Sequence, residues 1–518
     1  MFAARVSLRS LVIGALFVAI GLAFSSGAGA AQSQTYVVVY KGSSSHANAG
    51  GAIQKAGGTL VYNYSQIGVA IARSASPSFK SSLAKNGHVE DVAASARFGV
   101  KIEDDFATVE TATAANSSAG PVSDTDTLSP LQWDMVQIHA PEAHAVTGGS
   151  PSVVVGDIDT GLDYTHPDLA ANVDFANSVS CESGAPNQDP AAWKDHAGHG
   201  THTAGTIAAA ANGIGVIGVA PNVKIAGIKS SNDDGFFFPE MVVCSFIWAG
   251  EHNIDVTNNS YFADPFYLTC RNDPEQRAIL KAEQRAIRFA QSKGVVVVAS
   301  LGNFSDDLAH PTKDIVSPDF PPGSEVERRV TNACMDIPAE IPGVIGVTAV
   351  GPTGAKSFYS NYGVGVADVA APGGDSLQAP NPFGRVLSTF AHDAPPADIK
   401  FLLDLNRVHM DPPGCVNAAT GVPAANCALW VYLQGTSMAG PHVAGVAALV
   451  KSELGKAPQG AVQARITRTA DPIACPPNPY LFPDFPQSSN GEPQTCQGGA
   501  TSNSFYGHGL VNAAAAIE

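Results

Sequence analysis

Gly435-Thr436-Ser437-Met438-Ala439-Gly440-Pro441-His442-Val443-Ala444-Gly445 decides the fold of this 518-residue chain. A serine among small residues opens an apolar segment, Val443 through Leu449 and Val450, that reads as a buried helix. Gly435 lets the backbone turn with no Cβ in the way. Pro441 fits a first helical turn, where a missing N–H costs little. Ser437 would then lie at the positive end of a helix dipole, which favours a developing negative charge. Taken alone, the stretch reads as a buried helix with a serine or threonine cap. Two upstream segments change that reading.

The first is Val153-Val154-Val155-Gly156-Asp157-Ile158-Asp159-Thr160-Gly161-Leu162-Asp163, followed by His166-Pro167-Asp168-Leu169. An apolar strand ends in an acid, and groups at the carboxyl ends of parallel strands line binding crevices. The second is Gly198-His199-Gly200-Thr201-His202-Thr203-Ala204-Gly205-Thr206, where small residues enter a helix. Asp159, His199 and Ser437 thus follow in one of the three chain orders in which an acid–base–nucleophile triad occurs. The chain resembles the subtilase family of serine peptidases, nearly letter for letter in these motifs. A weaker likeness runs from Pro130 onward, through Gln137-Ile138-His139-Ala140-Pro141 and Phe505-Tyr506-Gly507-His508-Gly509-Leu510-Val511-Asn512.

The resemblance implies an α/β fold, a three-layer α/β/α domain on a parallel sheet, and a serine endopeptidase that needs no catalytic cofactor. Ser437 would be the nucleophile, His199 its base, and Asp159 the group that orients the imidazole. Val295-Val296-Val297-Val298-Ala299-Ser300-Leu301-Gly302-Asn303 matches the family segment whose asparagine helps form the oxyanion hole. Asn303 and the Ser437 N–H are therefore the expected donors. Asp255 to Phe262 matches the strand that pairs with an extended substrate. Ser260, Tyr261, Phe262 and Gly302 are the expected substrate contacts. Phe262 stands where the family usually has glycine, and Asp157 where it usually has an apolar residue. In some subtilases a loop after the histidine motif holds Ca²⁺. Here Asp168 and Asn212 would give side-chain oxygens, and Ala210, Ile214 and Val216 carbonyls. The other reading is a plain glycine loop capped by Asp168. His202 and His442 read as helix histidines packed behind the site.

Arg5 and Arg9 precede an apolar run from Leu11 to Phe24 and small residues to Ala31, so residues 1–31 read as a secretory signal peptide. No later stretch is long and apolar enough to span a membrane. Residues 32–103 follow as strand, helix, two strands and helix, a ferredoxin-like α+β order. The unit resembles the inhibitory, chaperone-like propeptide of subtilases. Residues 104–129, rich in Ala, Thr, Ser and Asp, read as a linker with the processing site, and residues 130–518 as the peptidase domain. Residues 32–103 carry seven basic and three acidic side chains, and the remainder of the chain after them about −23. That contrast predicts electrostatic attraction between propeptide and enzyme. It also argues against a nucleic-acid partner. The expected protein is a secreted monomer whose partners are polypeptide substrates and its own propeptide.

All eight cysteines lie beyond residue 180. In an oxidising compartment an even count reads as disulfides. Cys415–Cys427 and Cys475–Cys496 are the natural local pairs, while the pairing of Cys181, Cys244, Cys270 and Cys334 stays open. Ser305 to Ile337 and Leu387 to Ala428 read as stapled surface loops inserted beside the site. Ala439 breaks the Gly-x-Ser-x-Gly elbow of esterases and lipases, and the chain order breaks their triad. An inactive subtilase-like binding protein is the remaining alternative, although such chains usually lose a triad residue.

Overall fold

The computed structural model describes residues 33–42, 48–95, 120–478 and 493–518. The expected signal peptide, the end of the expected propeptide and most of the expected linker lie outside the described residues. Among the described residues no helix is long and apolar enough to cross a membrane.

The N-terminal unit runs β1 (Gln34–Tyr40), α1 (Ala49–Lys55), β2 (Thr59–Tyr64), β3 (Val69–Ser74), α2 (Phe79–Leu83) and β4 (Val89–Ala94). Its antiparallel sheet has the order β2-β3-β1-β4, so a fourth strand, not anticipated from the sequence, completes the ferredoxin-like pattern. One face, with Val38 and Ala70, is covered by Ile53, Phe79 and Leu83 of the unit's own helices. The other face, with Val37, Val39 and Ile71, packs into the larger domain against Phe246 and Ala282.

The larger domain is built on seven parallel strands: β5 (Val154–Asp159), β6 (Val179–Ser180), β7 (Lys224–Lys229), β8 (Val256–Asn259), β9 (Val296–Ser300), β10 (Ile345–Val350) and β11 (Val369–Pro372). Their order is β11-β10-β9-β8-β5-β7-β6. Strand order reverses between β5 and β8, and ligands bind outside the carboxyl ends of strands at such a switch point. Near-continuous Val, Ile and Ala runs suit strands buried on both faces. The helices that position the site are α3 (His199–Ala208), α4 (Pro239–Glu251), α5 (Pro274–Ser292) and α6 (Thr436–Leu454).

Helix α6 begins at Thr436, seven residues before the apolar run that announced it, so Pro441 sits inside the helix and not in its first turn. A proline there cannot bond the carbonyl four residues back. That carbonyl belongs to Ser437, and it accepts the Ser260 hydroxyl at 3.0 Å instead.

All eight cysteines are paired: Cys181–Cys244, Cys270–Cys334, Cys415–Cys427 and Cys475–Cys496. The two local pairs are those expected. The two insertions are more ordered than loops. Ser305 to Ile337 holds short ladders, one of which pairs Cys334–Met335 with Thr269–Cys270 beside the disulfide. Leu387 to Ala428 contributes β12 (Val386–Phe390), α7 (Pro396–Asp404) and β13 (Val408–Asp411), and β12 and β13 flank β14 (Ala428–Leu433).

The charge expectation needs correcting. The larger domain is acidic in sum, yet Arg277, Lys281 and Arg285 recur every four residues on α5 and form a basic stripe. The N-terminal unit answers with acids. Arg277 is bonded to Asp91 at 3.0 Å, Lys281 to Glu90 at 2.7 Å and to Asp91 at 2.8 Å, and Arg285 to Glu90 at 2.8 Å. Among the described residues, only Lys80 with Glu275 is an ion pair in the expected sense. Net charge averages over the surface, while an interface reads a local patch.

Candidate active site

Asp159 ends β5 fully buried, and its Oδ1 pairs with His199 Nδ1 at 2.7 Å. The Thr160 N–H donates to the same oxygen at 2.7 Å. His199 opens α3, with its side chain 32% exposed. Burial disfavours the imidazolium, but the Asp159 carboxylate and its hydrogen bond outweigh it and push His199 up to about 9. Ser437 is the second residue of α6. Its Oγ donates to the Ser260 carbonyl at 3.2 Å, and both serine and histidine line one cavity of about 390 Å³.

Asn303 follows β9. Its Oδ1 accepts from Thr436 N at 2.8 Å and Thr436 Oγ1 at 2.7 Å, which leaves Nδ2 free to turn elsewhere. A Cβ on Gly435 would lie 3.6 Å from Asn303 Nδ2 and 3.7 Å from Ser437 N, so the two donors converge on one small space. Ser260, Tyr261, Phe262 and Gly302 line the same cavity from the ends of β8 and β9.

Asp157 has a place in this frame. It is fully buried, accepting Thr203 Oγ1 at 2.7 Å and Asn258 Nδ2 at 2.8 Å. Asn258 Nδ2 also reaches Ser260 Oγ at 3.2 Å. Burial, with Asp159 nearby, pushes the Asp157 carboxyl well above the usual range. His202 and His442 are buried behind the site: His202 Nε2 meets the Val431 carbonyl at 3.1 Å, and His442 Nε2 meets Asp134 at 3.0 Å.

Asp195, outside the sequence motifs, also belongs to the site. Its buried carboxylate accepts Thr160 Oγ1, the N–H groups of Ala197 and Gly198, and both the N–H and Oγ1 of Thr201 at 2.7 to 3.0 Å. It thereby ties the exit of β5 to the start of α3. An acid just before a glycine-led helix start is the signal that could have revealed it.

The residues drawn for calcium meet, but in another arrangement. Asp168 Oδ2 accepts the Val216 N–H at 3.0 Å and the Trp430 indole N–H at 2.6 Å, and Oδ1 accepts Asn212 Nδ2 at 3.2 Å. Asn212 Oδ1 is taken by the Ile214 N–H at 3.0 Å. A cation site needs oxygens aimed inward, and here N–H donors fill the carboxylate. Burial pushes Asp168 up to about 7. Among the described residues no three His, Cys, Asp or Glu side chains could hold a metal ion. The set does not fit calcium; Asp168 is a hydrogen-bond hub for the Ala210–Val216 loop.

The subtilase family model matches residues 150–509, a span that takes in Asp159, His199, Asn303 and Ser437. The chain belongs to the subtilase family. It is 28% identical over 390 residues to subtilisin BL of Lederbergia lenta, covering 75% of this chain and 99% of that protein. It is 28% identical over 352 residues to fervidolysin of Fervidobacterium pennivorans, covering 66% of this chain but spanning only 41% of fervidolysin. In fold it is similar to the epidermin leader peptide processing serine protease of Staphylococcus aureus. The TM-score is 0.62 at 21% identity, over 94% of this chain and 98% of the other. This subtilase is a subtilisin-like serine endopeptidase acting on polypeptides, a chemistry that needs no cofactor.

Proposed function

We propose that this subtilase is a secreted monomer, made as a self-processed precursor, that cleaves peptide bonds through Asp159, His199 and Ser437. The observation that carries the reading is the 2.7 Å Asp159–His199 bond opening into the cavity that also holds Ser437. Ser437 Oγ turns from the Ser260 carbonyl toward His199 and attacks the scissile carbonyl as His199 Nε2 takes its proton. Asp159 stabilises the resulting imidazolium. The oxyanion is received by the Ser437 N–H and Asn303 Nδ2–H, each such donor being worth roughly 10²–10³ in turnover. His199 returns the proton to the leaving amine. Water, deprotonated by the same base, then releases the acyl group from Ser437.

In this reading residues 1–31 direct export and residues 32–103 act as inhibitor and folding template. Cleavage falls within 104–129, and 130–518 is the peptidase. The packing of the N-terminal sheet on α4 and α5 supports a propeptide role. No calcium is included, because the Asp168 oxygens are already occupied by N–H donors.

Ser437→Ala tests the proposal. Intact mass of the secreted variant is expected to show the N-terminal unit still joined, and casein hydrolysis is expected to fall by a factor on the order of 10⁶. Normal maturation with retained hydrolysis would refute the assignment.

A further inference from the structure

The cavity beside Ser437 is lined by three carboxyl groups that the mechanism does not use: Asp264, Asp319 and Asp336. Among the described residues lining it, only His199 can carry positive charge. Asp336 is 1% exposed, and its Oδ1 is buried with no hydrogen-bond partner. It lies directly under the oxyanion strand exit: a Cβ on Gly302, the neighbour of Asn303, would be 3.8 Å from Asp336 Oδ2. Gly302, at φ +93°, is also the one residue type that fits there, since a Cβ would come within 2.6 Å of Asn361 Nδ2. Glu340 accepts the Asp336 N–H at 2.6 Å and sets a second carboxyl group beside it. Burial first, and Glu340 second, push the Asp336 carboxyl well above the usual range. On another wall, Asp264 accepts the Phe237 N–H and interacts with the Asp319 carboxyl, and Asp319 Oδ1 is likewise buried without a partner.

Buried carboxylates without a counter-cation are costly, and proteins pair or neutralise them. Here the missing cation has an open route from the catalytic serine. The walls suit its stem as well. Phe262 and Phe304 line the cavity with ring centroids 6.1 Å apart, offering apolar faces for methylenes and π-faces for a planar cation.

We propose that this cavity receives the side chain of the residue donating the scissile carbonyl, and that Asp336, helped by Asp319 and Asp264, selects arginine over lysine and both over apolar residues. Arginine leads because its guanidinium can fork onto a carboxylate while lying against the ring of Phe262 or Phe304. The inference rests on the peptidase reading above and names its substrate class.

The test is a panel of fluorogenic peptide amides identical except at that residue, carrying arginine, lysine, citrulline, leucine or phenylalanine. A serine-reactive fluorophosphonate label is applied to the same mature enzyme. With arginine, kcat/KM is expected to exceed that for leucine by about 10²-fold or more, and neutral citrulline to fall to the leucine level. Asp336→Asn, close in shape, is expected to lower the arginine-to-leucine ratio about 10²-fold, and Asp319→Asn about tenfold. If Ser437 is labelled but leucine, phenylalanine or citrulline matches arginine, the selectivity proposal is overturned while the peptidase reading stands. An unchanged ratio in Asp336→Asn also overturns it. Absence of both label and cleavage sinks the peptidase reading and the proposal together. If Asp336→Asn does not fold, the citrulline comparison on the unaltered enzyme decides alone.

Discussion

Five hydrogen bonds converge on the buried carboxylate of Asp195, three of them from backbone N–H groups between Ala197 and Thr201. Removing the acceptor leaves those donors buried, at about 1–3 kcal/mol each. It also frees His199 from its register with Asp159. Asp195→Ala is therefore expected to lower kcat/KM about 10²-fold, a cost typical of small misplacements, and to lower Tm. Asp195→Asn, which keeps one carbonyl, is expected to recover part of both. Peptide kinetics and calorimetry on the two variants check this. The base itself sets the pH profile. In the proposed mechanism His199 must be neutral to accept the Ser437 proton, and its environment holds it up to about 9. Activity is accordingly expected to climb with pH through the region near 9, and a kcat/KM plateau already reached at pH 7 would contradict that environment. Asp159, His199, Asn303 and Ser437 were legible because each sits in a short motif whose neighbours are fixed locally. Asp336 was not, because its position under Gly302 is made by the fold and no spacing along the chain encodes it.

At the scale of elements, α3 is pressed against the end of β5. A Cβ on Gly200 would fall 2.3 Å from the Gly161 carbonyl and 3.1 Å from Asp159 Cβ. A backbone oxygen cannot step aside as a long side chain can, so Gly200→Ala must push α3 away from β5. Overpacking of this kind costs about 1–3 kcal/mol. Because the displaced helix begins with His199, activity is expected to fall more than stability does. Urea midpoints and kcat/KM measured together check the split. The parallel strands announced themselves through β-branched runs, and β5 and β9 lie where those runs are. Strand β4 was missed because Glu90 and Asp91 interrupt its apolar pattern. Those two acids are the ones that meet α5, so what hid the strand is what docks it. The start of α6 was obscured by its glycines and Pro441, which argue locally against a helix. Tertiary bonds from Ser260 and Ser300 to its first carbonyls hold that turn in place.

For the whole molecule, buried acids dominate the balance with pH. Burial pushes Asp157, Asp264, Glu283 and Asp336 well above the usual carboxyl range, Asp168 up to about 7 and Glu340 up to about 8. The folded state thus keeps protons that the unfolded chain has released above about pH 4. Stability must fall as pH rises wherever the native state binds more protons. His199, raised by Asp159, adds to the fall near 9. Lys356 and Lys451, both pushed down by burial, oppose it. Tm of the Ser437→Ala protein, which cannot digest itself, is expected to drop by several degrees between pH 6 and 9. A flat or rising Tm would mean that these carboxyls have found partners. Activity and durability therefore pull in opposite directions along the pH scale.

If residues 32–103 are released as proposed, the stripe of Arg277, Lys281 and Arg285 on α5 loses Glu90 and Asp91. A strongly anionic enzyme would then carry an uncovered cationic ridge on α5. Such a molecule would settle on an anionic polymer or mineral with that ridge down, adsorbed in one orientation despite its overall charge. Maturation would then do more than open the cavity at Ser437, since it would also create an adhesive face that the precursor lacks.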